Sequence, residues 1–516
     1  MNNDNTKRKS QDLNNLIFPV SKKYEQHLSD ASYFKGYADT ISFPNSTLEV
    51  SRIIKALFRS NVPITVQGAR TGLTGAAVPN GGHIMSMQKM NKILGLRQNS
   101  AGDIFVHVEP GLRLAHLHKM IANGFKGLFD ADDETKEVLA ANPDINDYFW
   151  PVDLLEGSAT IGGIAGTNAS GVTSYMYGRA ANHIEGIRFI GESGSDFWVS
   201  RKGNEQLESE DQQIAGTVLF TQQDLLNAIL GGEGMYGVIT ELALKLRKKP
   251  KEKLGLLVFV QDESQLEVFV DKCQDNLSHE QKALVATFEV MDQRSIEAVH
   301  ALSGRLKGCP PIPDFPTDSQ GAAYIELHGD NQKALNELSK CCTNCISDVG
   351  VRSDSVLMAT DHESLERLRA LRYAAPRVAN LLVELNHQKF SAITKLFTDI
   401  RFEGRFSAVF QDYLRDLQDM HMPATIYGQV LDNHLHVNLF PEDERQLAIA
   451  KRLLAHWAQK VRIQRGKLVG NHGIGKLKTD DTYPEMPESQ KLREKQIKAF
   501  FDQRGLFNPH NRTPLG

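Results

Sequence analysis

Apolar positions in the first half of the chain alternate between helical and strand-like spacing. The stripe Val50, Ile53, Ile54 and Leu57 follows hydroxyl and amide capping candidates at 45–47 and predicts a helix. The β-branched run 62–67 after it predicts a buried strand. From 50 to about 248, strand, helix and glycine-rich segments keep alternating, which is typical of an α+β nucleotide-binding domain with covered sheets.

The pattern changes in the second half of the chain. Apolar runs at 254–260, 284–291, 322–328 and 425–430 predict strands, and amphipathic segments such as 332–345 predict the helices between them. This alternation indicates an antiparallel sheet backed by helices. Between 124 and 158 the first half carries an insert with an acidic, predicted helical segment at 130–137, whose role stays open.

Composition narrows the class of protein. With 516 residues, 41% hydrophobic and 24% charged, the chain can bury large cores in two or three domains. A net charge of −4 predicts no nucleic-acid partner, and the basic cluster Arg247-Lys248-Lys249 is interpreted as a solvated linker. The sequence contains no run of 18 apolar residues and no apolar N-terminal region. We therefore expect a cytoplasmic protein without a transmembrane segment. Peripheral attachment to a membrane stays open.

The chain has five cysteines: Cys273, Cys309, Cys341, Cys342 and Cys345. Such a small, odd number fits a reducing compartment better than a disulfide framework. Cys342 and Cys345 form a CxxC pair, but no second pair or histidine follows at ligand spacing, so helix packing is predicted. Because no further cysteines occur at ligand spacing, we also expect no built-in iron–sulfur module.

Two glycine-rich stretches, 68–75 and 159–171, are the strongest functional signal. Glycine lacks a Cβ and tolerates positive φ, so successive amides can approach a diphosphate. The first stretch follows the strand predicted at 62–67, and ligands of α/β folds bind at the carboxyl ends of strands. Neither stretch has GxGxxG spacing or the ending of a P-loop, which disfavours NAD and ATP.

Three further motifs occur in order: Gly-Glu-Gly-Met-Tyr-Gly-Val-Ile-Thr at 232–240, Asn-His-Gly-Ile-Gly-Lys at 471–476 and Gly-Leu-Phe-Asn-Pro at 505–509. With the two glycine-rich stretches they resemble the vanillyl-alcohol oxidase and p-cresol methylhydroxylase (PCMH) flavoprotein superfamily across nearly the whole chain. The similarity is greatest to its D-lactate and D-2-hydroxyglutarate dehydrogenase branch. The resemblance implies an α+β fold, with a two-subdomain PCMH-type FAD-binding domain and an antiparallel-sheet cap domain with flanking helices.

The resemblance also implies a division of the chain. It gives a tail with short helices at 1–40, the FAD-binding domain at 41–250, the cap or substrate domain at 251–461, and a segment returning to the flavin at 462–516. The first glycine-rich loop would wrap the FAD pyrophosphate, the second would lie along the flavin and ribityl chain, and the Gly-Glu-Gly segment would close the adenine side.

The cofactor-binding residues implied by the resemblance are Gly68, Ala69, Arg70, Thr71, Gly72, Leu73, Thr74, Gly75, Thr160, Gly162, Gly163, Thr167, Asn168, Ala169, Gly171, Glu233, Gly234, Gly237, Val238, Ile239 and Asn508. Asn508 would lie near the isoalloxazine ring. Because 70–72 contain no histidine, where covalently linked relatives place theirs, we expect non-covalent FAD.

The run 432–439 alternates polar and apolar residues, so a strand would point His434, His436 and Asn438 to one face. In the hydroxy-acid dehydrogenase branch, two histidines of this strand and the glutamate of a later Glu-His-Gly hold a divalent metal. Here Gln429 and Asn471 replace one histidine and the glutamate, and His436 alone matches. Since amides are poor ligands, no tight catalytic metal is expected, although a new His434 and His436 pair stays open.

Two further residues match the family's catalytic elements. His472 corresponds to a histidine near the flavin and can act as general base, because imidazole titrates near the operating pH. Arg372, with Arg369 as second choice, resembles the arginine of a Trp-x-x-Arg element that binds the substrate carboxylate. The alternative for both arginines is the charged face of an amphipathic helix.

The sequence therefore predicts an FAD-dependent dehydrogenase that oxidises a D-2-hydroxy acid, D-lactate-like, to the 2-oxo acid. His472 would be the base, Arg372 the carboxylate clamp and His436 a polar contact. A separate electron acceptor is expected: a quinone, a cytochrome or an electron-transfer protein. An oxidase using O₂ and a flavin-binding protein without dehydrogenase activity stay open, as does a homodimer. A role like that of alkylglycerone-phosphate synthase is less favoured, because no phosphate and long-chain site is evident.

Overall fold

The computed structural model describes residues 15–128, 130–201, 220–306, 308, 310–468 and 470–513. The chain divides into two compact units. The first unit comprises Met1–Gly171, Gly178–Lys249 and Asn471–Gly516, and the second comprises Val172–Tyr177 and Pro250–Gly470. Residues 1–14 of the predicted tail and Cys309 lie outside the described residues.

The first unit contains two main sheets. The smaller has the order β1-β2-β4-β3 and is built from Ile17–Pro19 (β1), Thr40–Ser42 (β2), Ile64–Gln67 (β3) and His83–Ser86 (β4). The pairings of β2 with β4 and of β3 with β4 are parallel. The larger is antiparallel with the order β5-β6-β10-β8-β9, from Ile93–Gln98 (β5), Ile104–Val108 (β6), Ile184–Ile190 (β8), Asp196–Ser200 (β9) and Val238–Lys245 (β10).

A third, two-stranded ribbon pairs Tyr148–Phe149 (β7) with Arg247–Lys248 (β11). The basic cluster interpreted as a linker is therefore partly a short, exposed strand. The described helices of this unit are Thr47–Arg59, Leu114–Ala122, Asp133–Ala141, Ile161–Thr167, Gln222–Ile229, Thr479–Thr482 and Glu488–Phe501.

The apolar stripe predicted at 50–57 packs as expected. Val50, Ile53 and Ile54 are fully buried, and Ser46 caps their helix by accepting from the amide of Glu49. The acidic insert forms the helix Asp133–Ala141, and its Thr135 hydroxyl accepts a hydrogen bond from the Leu96 amide of β5 at 3.0 Å. The insert is therefore held against the larger sheet of its own unit.

The second unit is built on one eight-stranded antiparallel sheet. Its order is β15-β12-β14-β13-β18-β19-β16, and β17 also pairs with β19. The strands are Glu252–Val260 (β12), Val285–Asp292 (β13), Gly321–Gly329 (β14), Val356–Ala359 (β15), Leu396–Phe397 (β16), Ile400–Arg401 (β17), Ala424–Gln429 (β18) and His434–Leu439 (β19). The four strands predicted from apolar runs correspond to β12, β13, β14 and β18.

Helices cover both faces of this sheet. They are Ser174–Tyr177, Glu263–Asn276, His279–Lys282, Gln293–Leu302, Gln332–Asp348, His362–Lys389, Phe406–Asp419 and Glu444–Ile463. The predicted helix at 332–345 extends to Asp348, and its Cys342 and Cys345 pack with Cys273 in the larger apolar core. No helix in the described ranges is long and apolar enough to cross a membrane.

Candidate functional site

The first glycine-rich stretch is a loop after β3, as predicted. Its residues are Gly68, Ala69, Arg70, Thr71, Gly72, Leu73, Thr74 and Gly75. Arg70 and Gly75 have positive φ, at 61° and 73°, and the Arg70 carbonyl accepts a hydrogen bond from the Ala31 amide at 3.1 Å. Among the described residues, none accepts a hydrogen bond from the amides of 69–73. These amides are therefore available to an anionic group such as a diphosphate.

The second stretch differs from the predicted loop, because 161–167 form a short helix. Thr160 caps it by accepting from the Gly163 amide at 3.4 Å, and Asn168 ends it in the left-handed conformation at φ 46°. These two caps stabilise a helix despite its glycines. A Cβ built on Gly68 would lie 2.2 Å from the Thr160 hydroxyl, so the two stretches are in close contact.

One face of the helix 161–167 has few protein atoms close to it. A Cβ built on Gly166 would meet no atom within 4 Å, and one on Gly163 would meet only Thr160. By contrast, Gly162 is packed on Pro110 and Gly171 on the Asp153 backbone, so these two predicted residues serve packing. The Thr167 hydroxyl donates to the Gly163 carbonyl at 3.0 Å, and the Ala169 amide donates to the Ile164 carbonyl at 3.0 Å.

Glu233 joins three of the predicted segments. It has φ 52°, and its buried carboxylate accepts hydrogen bonds from the amides of Ile474 and Gly475, both at 2.6 Å. The Asn508 side chain donates to the Glu233 carbonyl at 2.9 Å and accepts from the Val66 amide at 2.7 Å. The Gly-Glu-Gly segment, the Asn-His-Gly segment and the Asn-Pro turn therefore meet beside β3.

Two residues that the sequence did not single out complete this cluster. Asn511 donates to the carbonyls of Glu233 and Ala76, at 2.9 and 3.0 Å, and Lys476 donates to Asn511 at 2.7 Å. Burial lowers the pKa of Lys476 to about 8 and raises the pKa of Glu233. Lys476 ends the motif at 471–476 and Asn511 belongs to no motif, and neither was given a role from the sequence because that role depends on contacts across the unit.

The remaining predicted cofactor residues surround Glu233 in sequence. A Cβ on Gly234, at φ 76°, would lie 2.7 Å from the Asn508 side chain, so the close packing of this pair requires glycine. Gly237 has φ 149° and packs on the Ile190 carbonyl. Val238 and Ile239 begin β10, where they pair with Ile190 and Phe189. These last three residues position the segment within the sheet.

His472 is half-buried in the first unit and stands beside the first loop. Its carbonyl accepts from the Thr74 hydroxyl at 3.4 Å, and the amides of Lys476 and Leu477 donate to the Thr74 carbonyl at 3.0 and 3.1 Å. The backbone that carries this imidazole is thus fixed to the glycine-rich loop, independently of the ring itself.

In the second unit, a buried polar row runs across one face of the sheet. Arg372, from the helix His362–Lys389, donates to both carboxylate oxygens of Glu289 on β13 at 2.6 and 2.8 Å. The Gln429 amide group on β18 donates to Glu289 at 2.9 Å and to the Thr287 hydroxyl and Val172 carbonyl, both at 2.7 Å. Gln429 therefore replaces a family metal ligand with a fully engaged amide.

Arg369, the second choice for the clamp, belongs to another buried network. It donates to Glu326, which also contacts His328 at 2.5 Å and accepts from Tyr324 at 2.6 Å. His328 contacts the Tyr177 hydroxyl at 2.8 Å. The pKa of Glu326 lies well below its usual range, because hydrogen bonds and charges from His328 and Arg369 outweigh its desolvation. Arg369 is accordingly part of the second unit's internal packing.

His434 and His436 lie on the same face of β19, as the alternation predicted. His434 contacts Asp399 at 3.0 Å, and the His436 ring is 4.4 Å from that of His434 and 5.4 Å from that of Tyr427. Asn438 is buried on the same strand. Asp399 was not identified from the sequence, since it is 35 residues from His434 and carries no recognisable spacing.

Comparisons with known proteins find family models that match both the N-terminal and the C-terminal part of the chain. A family model described as FAD binding domain matches residues 38–141, and one described as FAD linked oxidases, C-terminal domain, matches 269–511. A D-lactate dehydrogenase of Anaerostipes hadrus is 25% identical, over 94% of this chain and 91% of the relative. A D-2-hydroxyglutarate dehydrogenase of Stutzerimonas stutzeri is also 25% identical, over 92% of this chain and 91% of the relative.

Solved structures agree at the level of the fold. The 4-ethylphenol oxidase from Gulosibacter chungangensis matches with a TM-score of 0.67 at 14% identity, over 97% of this chain and 94% of that one. An alkyldihydroxyacetonephosphate synthase matches with a TM-score of 0.64 at 15% identity, over 97% and 84%. With the α+β fold and the order of the FAD motifs, these matches show that the chain belongs to the FAD-linked oxidases of the PCMH and vanillyl-alcohol oxidase family.

Proposed function

We propose that this protein is an FAD-dependent dehydrogenase that oxidises a D-2-hydroxy acid, D-lactate-like, to the 2-oxo acid. The observation that carries the proposal is the anchoring of His472 to the glycine-rich loop through Thr74. This contact supports a base at His472, because it holds the backbone of that residue against the loop that would bind the cofactor. The names of the relatives from Anaerostipes hadrus and Stutzerimonas stutzeri supply the substrate class.

The residues of the first unit suit FAD. Amides of 69–73 and the open face at Gly163 and Gly166 would accommodate the diphosphate and the chain attached to it. Bound FAD would supply the hydride acceptor for the reaction. No histidine, cysteine or tyrosine occurs in 68–75, which supports non-covalent binding.

Each proposed side chain performs one task. The His472 imidazole accepts the proton of the substrate hydroxyl, because neutral imidazole is a base near neutral pH. Arg372 binds the substrate carboxylate through its guanidinium, which Glu289 orients, and His436 adds a polar contact. Glu289 and Gln429 keep that guanidinium in a single orientation.

The test is an anaerobic titration of the purified yellow protein with paired D- and L-2-hydroxy acids. We expect a D-acid to bleach the flavin absorption at about 450 nm, and its L-enantiomer to leave it unchanged. If no hydroxy acid reduces a flavin that dithionite does reduce, the proposed activity is wrong and a binding role for FAD replaces it.

The electron acceptor is tested on the reduced protein. We propose a separate acceptor, so a quinone analogue or cytochrome c should reoxidise the flavin faster than air-saturated buffer. Rapid reoxidation by O₂ with stoichiometric hydrogen peroxide would instead identify an oxidase. Acid precipitation gives a further check, because non-covalent FAD should remain yellow in the supernatant.

A further inference from the structure

Three metal-binding side chains converge in the second unit. Asp399, His434 and His436 each offer a ligand atom, and these atoms all lie within 4.8 Å of one another. The His434 Nε2 to Asp399 Oδ1 distance is 3.0 Å. Asp399 and His434 are buried, with 2% and 1% of their surface exposed, while His436 is half-buried. Asp399 and His434 are therefore shielded from solvent, whereas His436 is partly accessible.

The hydrogen bonding of His436 prepares it as a ligand. Its Nδ1 lies 3.2 Å from the Thr398 carbonyl, which can only accept a hydrogen bond. In the neutral imidazole, this contact favours the ring proton on Nδ1 and the lone pair on Nε2. This arrangement, with a backbone carbonyl orienting the second nitrogen, is common for metal-bound histidines.

Gly470 leaves room for the cluster. A Cβ at this position would lie 2.3 Å from His434 Nε2 and 2.6 Å from Asp399 Oδ1. The Gly470 amide donates to the Asp399 carbonyl at 2.7 Å, which fixes the glycine beside the two donor atoms. Any larger residue would displace the ligand pair.

We propose that Asp399, His434 and His436 bind one divalent first-row transition-metal ion. Metal bonds to nitrogen and carboxylate oxygen of about 2.1 Å make donors 3.0 Å apart subtend an angle of about 90°. Two imidazoles and one carboxylate are donors suited to zinc, iron or manganese.

The proposal replaces the expectation that the loss of two family ligands leaves no metal site. The Gln429 Oε1, the atom of this amide that could bind a metal, accepts a hydrogen bond from the Phe288 amide at 3.3 Å. Its Nε2 donates to Glu289, Thr287 and Val172, so we do not assign Gln429 as a ligand. The donors come instead from His434 and from Asp399, which the fold delivers between β16 and β17. This inference concerns metal binding and does not depend on the proposed dehydrogenase activity.

The competing explanation is a buried hydrogen-bonded pair formed by Asp399 and His434 alone. Such a pair needs only two partners, whereas His436 brings a third potential ligand atom within 4.8 Å of the other two. A surface pair provides a natural comparison: His456 Nε2 lies 3.8 Å from Asp416, with half of the His456 side chain exposed.

The experiment measures metal in the full-length, FAD-containing protein. Mass spectrometry should find about one equivalent of a divalent metal in the purified protein. Alternatively, calorimetry on EDTA-treated protein should show that one equivalent of Mn²⁺ or Zn²⁺ rebinds. His434→Gln and Asp399→Asn should each reduce stoichiometric binding at least tenfold, and Gly470→Ala should do the same. His456→Gln, the matched control, should bind metal as the native protein does.

Two further measurements distinguish a loss of metal binding from a loss of folding. The ratio of FAD to protein and the thermal unfolding midpoint show whether each variant is folded. If the buried variants fail to fold, the half-buried His436→Gln variant is tested in their place. Less than 0.1 equivalent of bound metal in the native protein, together with no saturable Mn²⁺ or Zn²⁺ binding, overturns the proposal whether or not a hydroxy acid reduces the flavin.

Discussion

The Arg372 guanidinium donates to both carboxylate oxygens of Glu289, at 2.6 and 2.8 Å. Both side chains are largely buried, and Gln429 supports the carboxylate from the neighbouring strand. A guanidinium held in this way has a fixed plane and position. If Arg372 is the carboxylate clamp that we propose, it needs this geometry to recognise a planar carboxylate, so the pair is a sensitive test of the proposal.

Replacing Arg372 with lysine tests the clamp. The change keeps the charge but removes the fork geometry, so we expect KM for the D-acid to rise about 10- to 100-fold, corresponding to about 1.5–3 kcal/mol for a lost charged hydrogen bond. The turnover number should change much less. Steady-state kinetics with a dye acceptor separates the two, and an unchanged KM would place the carboxylate elsewhere.

Glu289→Gln provides the complementary variant. It leaves the buried guanidinium of Arg372 without a charged partner, and breaking such a pair costs about 3 kcal/mol. We expect a lower urea midpoint while the flavin spectrum is retained. A variant as stable as the native protein would show that the pair contributes little to folding.

His472→Asn tests the general base. The anchoring contact with Thr74 uses the His472 carbonyl, so the variant should still bind FAD. Removal of a positioned base lowers turnover by about 10²- to 10⁴-fold. The rate of anaerobic flavin reduction in stopped flow is the measurement. A rate within threefold of the native value would assign the proton transfer to another group.

Gly166→Ala tests whether FAD occupies the open face of the helix Ile161–Thr167. Alanine favours a helix over glycine by about 1 kcal/mol, and the added Cβ meets no protein atom, so the FAD-free protein should become more stable. If FAD lies there, its dissociation constant should rise at least tenfold. Gly304→Ala, whose Cβ also meets nothing, is the control for FAD affinity in a fluorescence titration.

Asp292 should make stability depend on pH. Its Oδ1 accepts from the amides of Ser295 and Ile426, and burial raises the pKa of the carboxyl to about 7. Because the unfolded chain ionises near pH 4, this group's stabilising contribution is full below that pH and is lost as pH rises to about 7. Asp292→Asn should therefore gain stability relative to the native protein as the pH rises from about 4 to about 7, measured by urea unfolding. A constant difference would contradict the raised pKa.

Local patterns predicted the elements that depend on neighbours in sequence. The helix at 47–59, the strands β12, β13, β14 and β18, and the shared face of His434 and His436 follow from periodicity, because burial selects apolar residues at fixed spacing. The glycine-rich stretch at 161–167 was misjudged, since its two caps outweigh the low helical preference of glycine.

By itself, the sequence determined where the backbone can approach a phosphate-bearing ligand, because glycine-rich segments allow that approach. The family resemblance of the ordered motifs then predicted that this ligand is FAD. Only the tertiary structure decided which charges meet. Glu289 is 83 residues from Arg372, and Asp399 is 35 residues from His434, so their pairing depends on strand register and helix packing. Periodicity specifies which face a side chain occupies, but the partner across that face is fixed only when the sheet assembles.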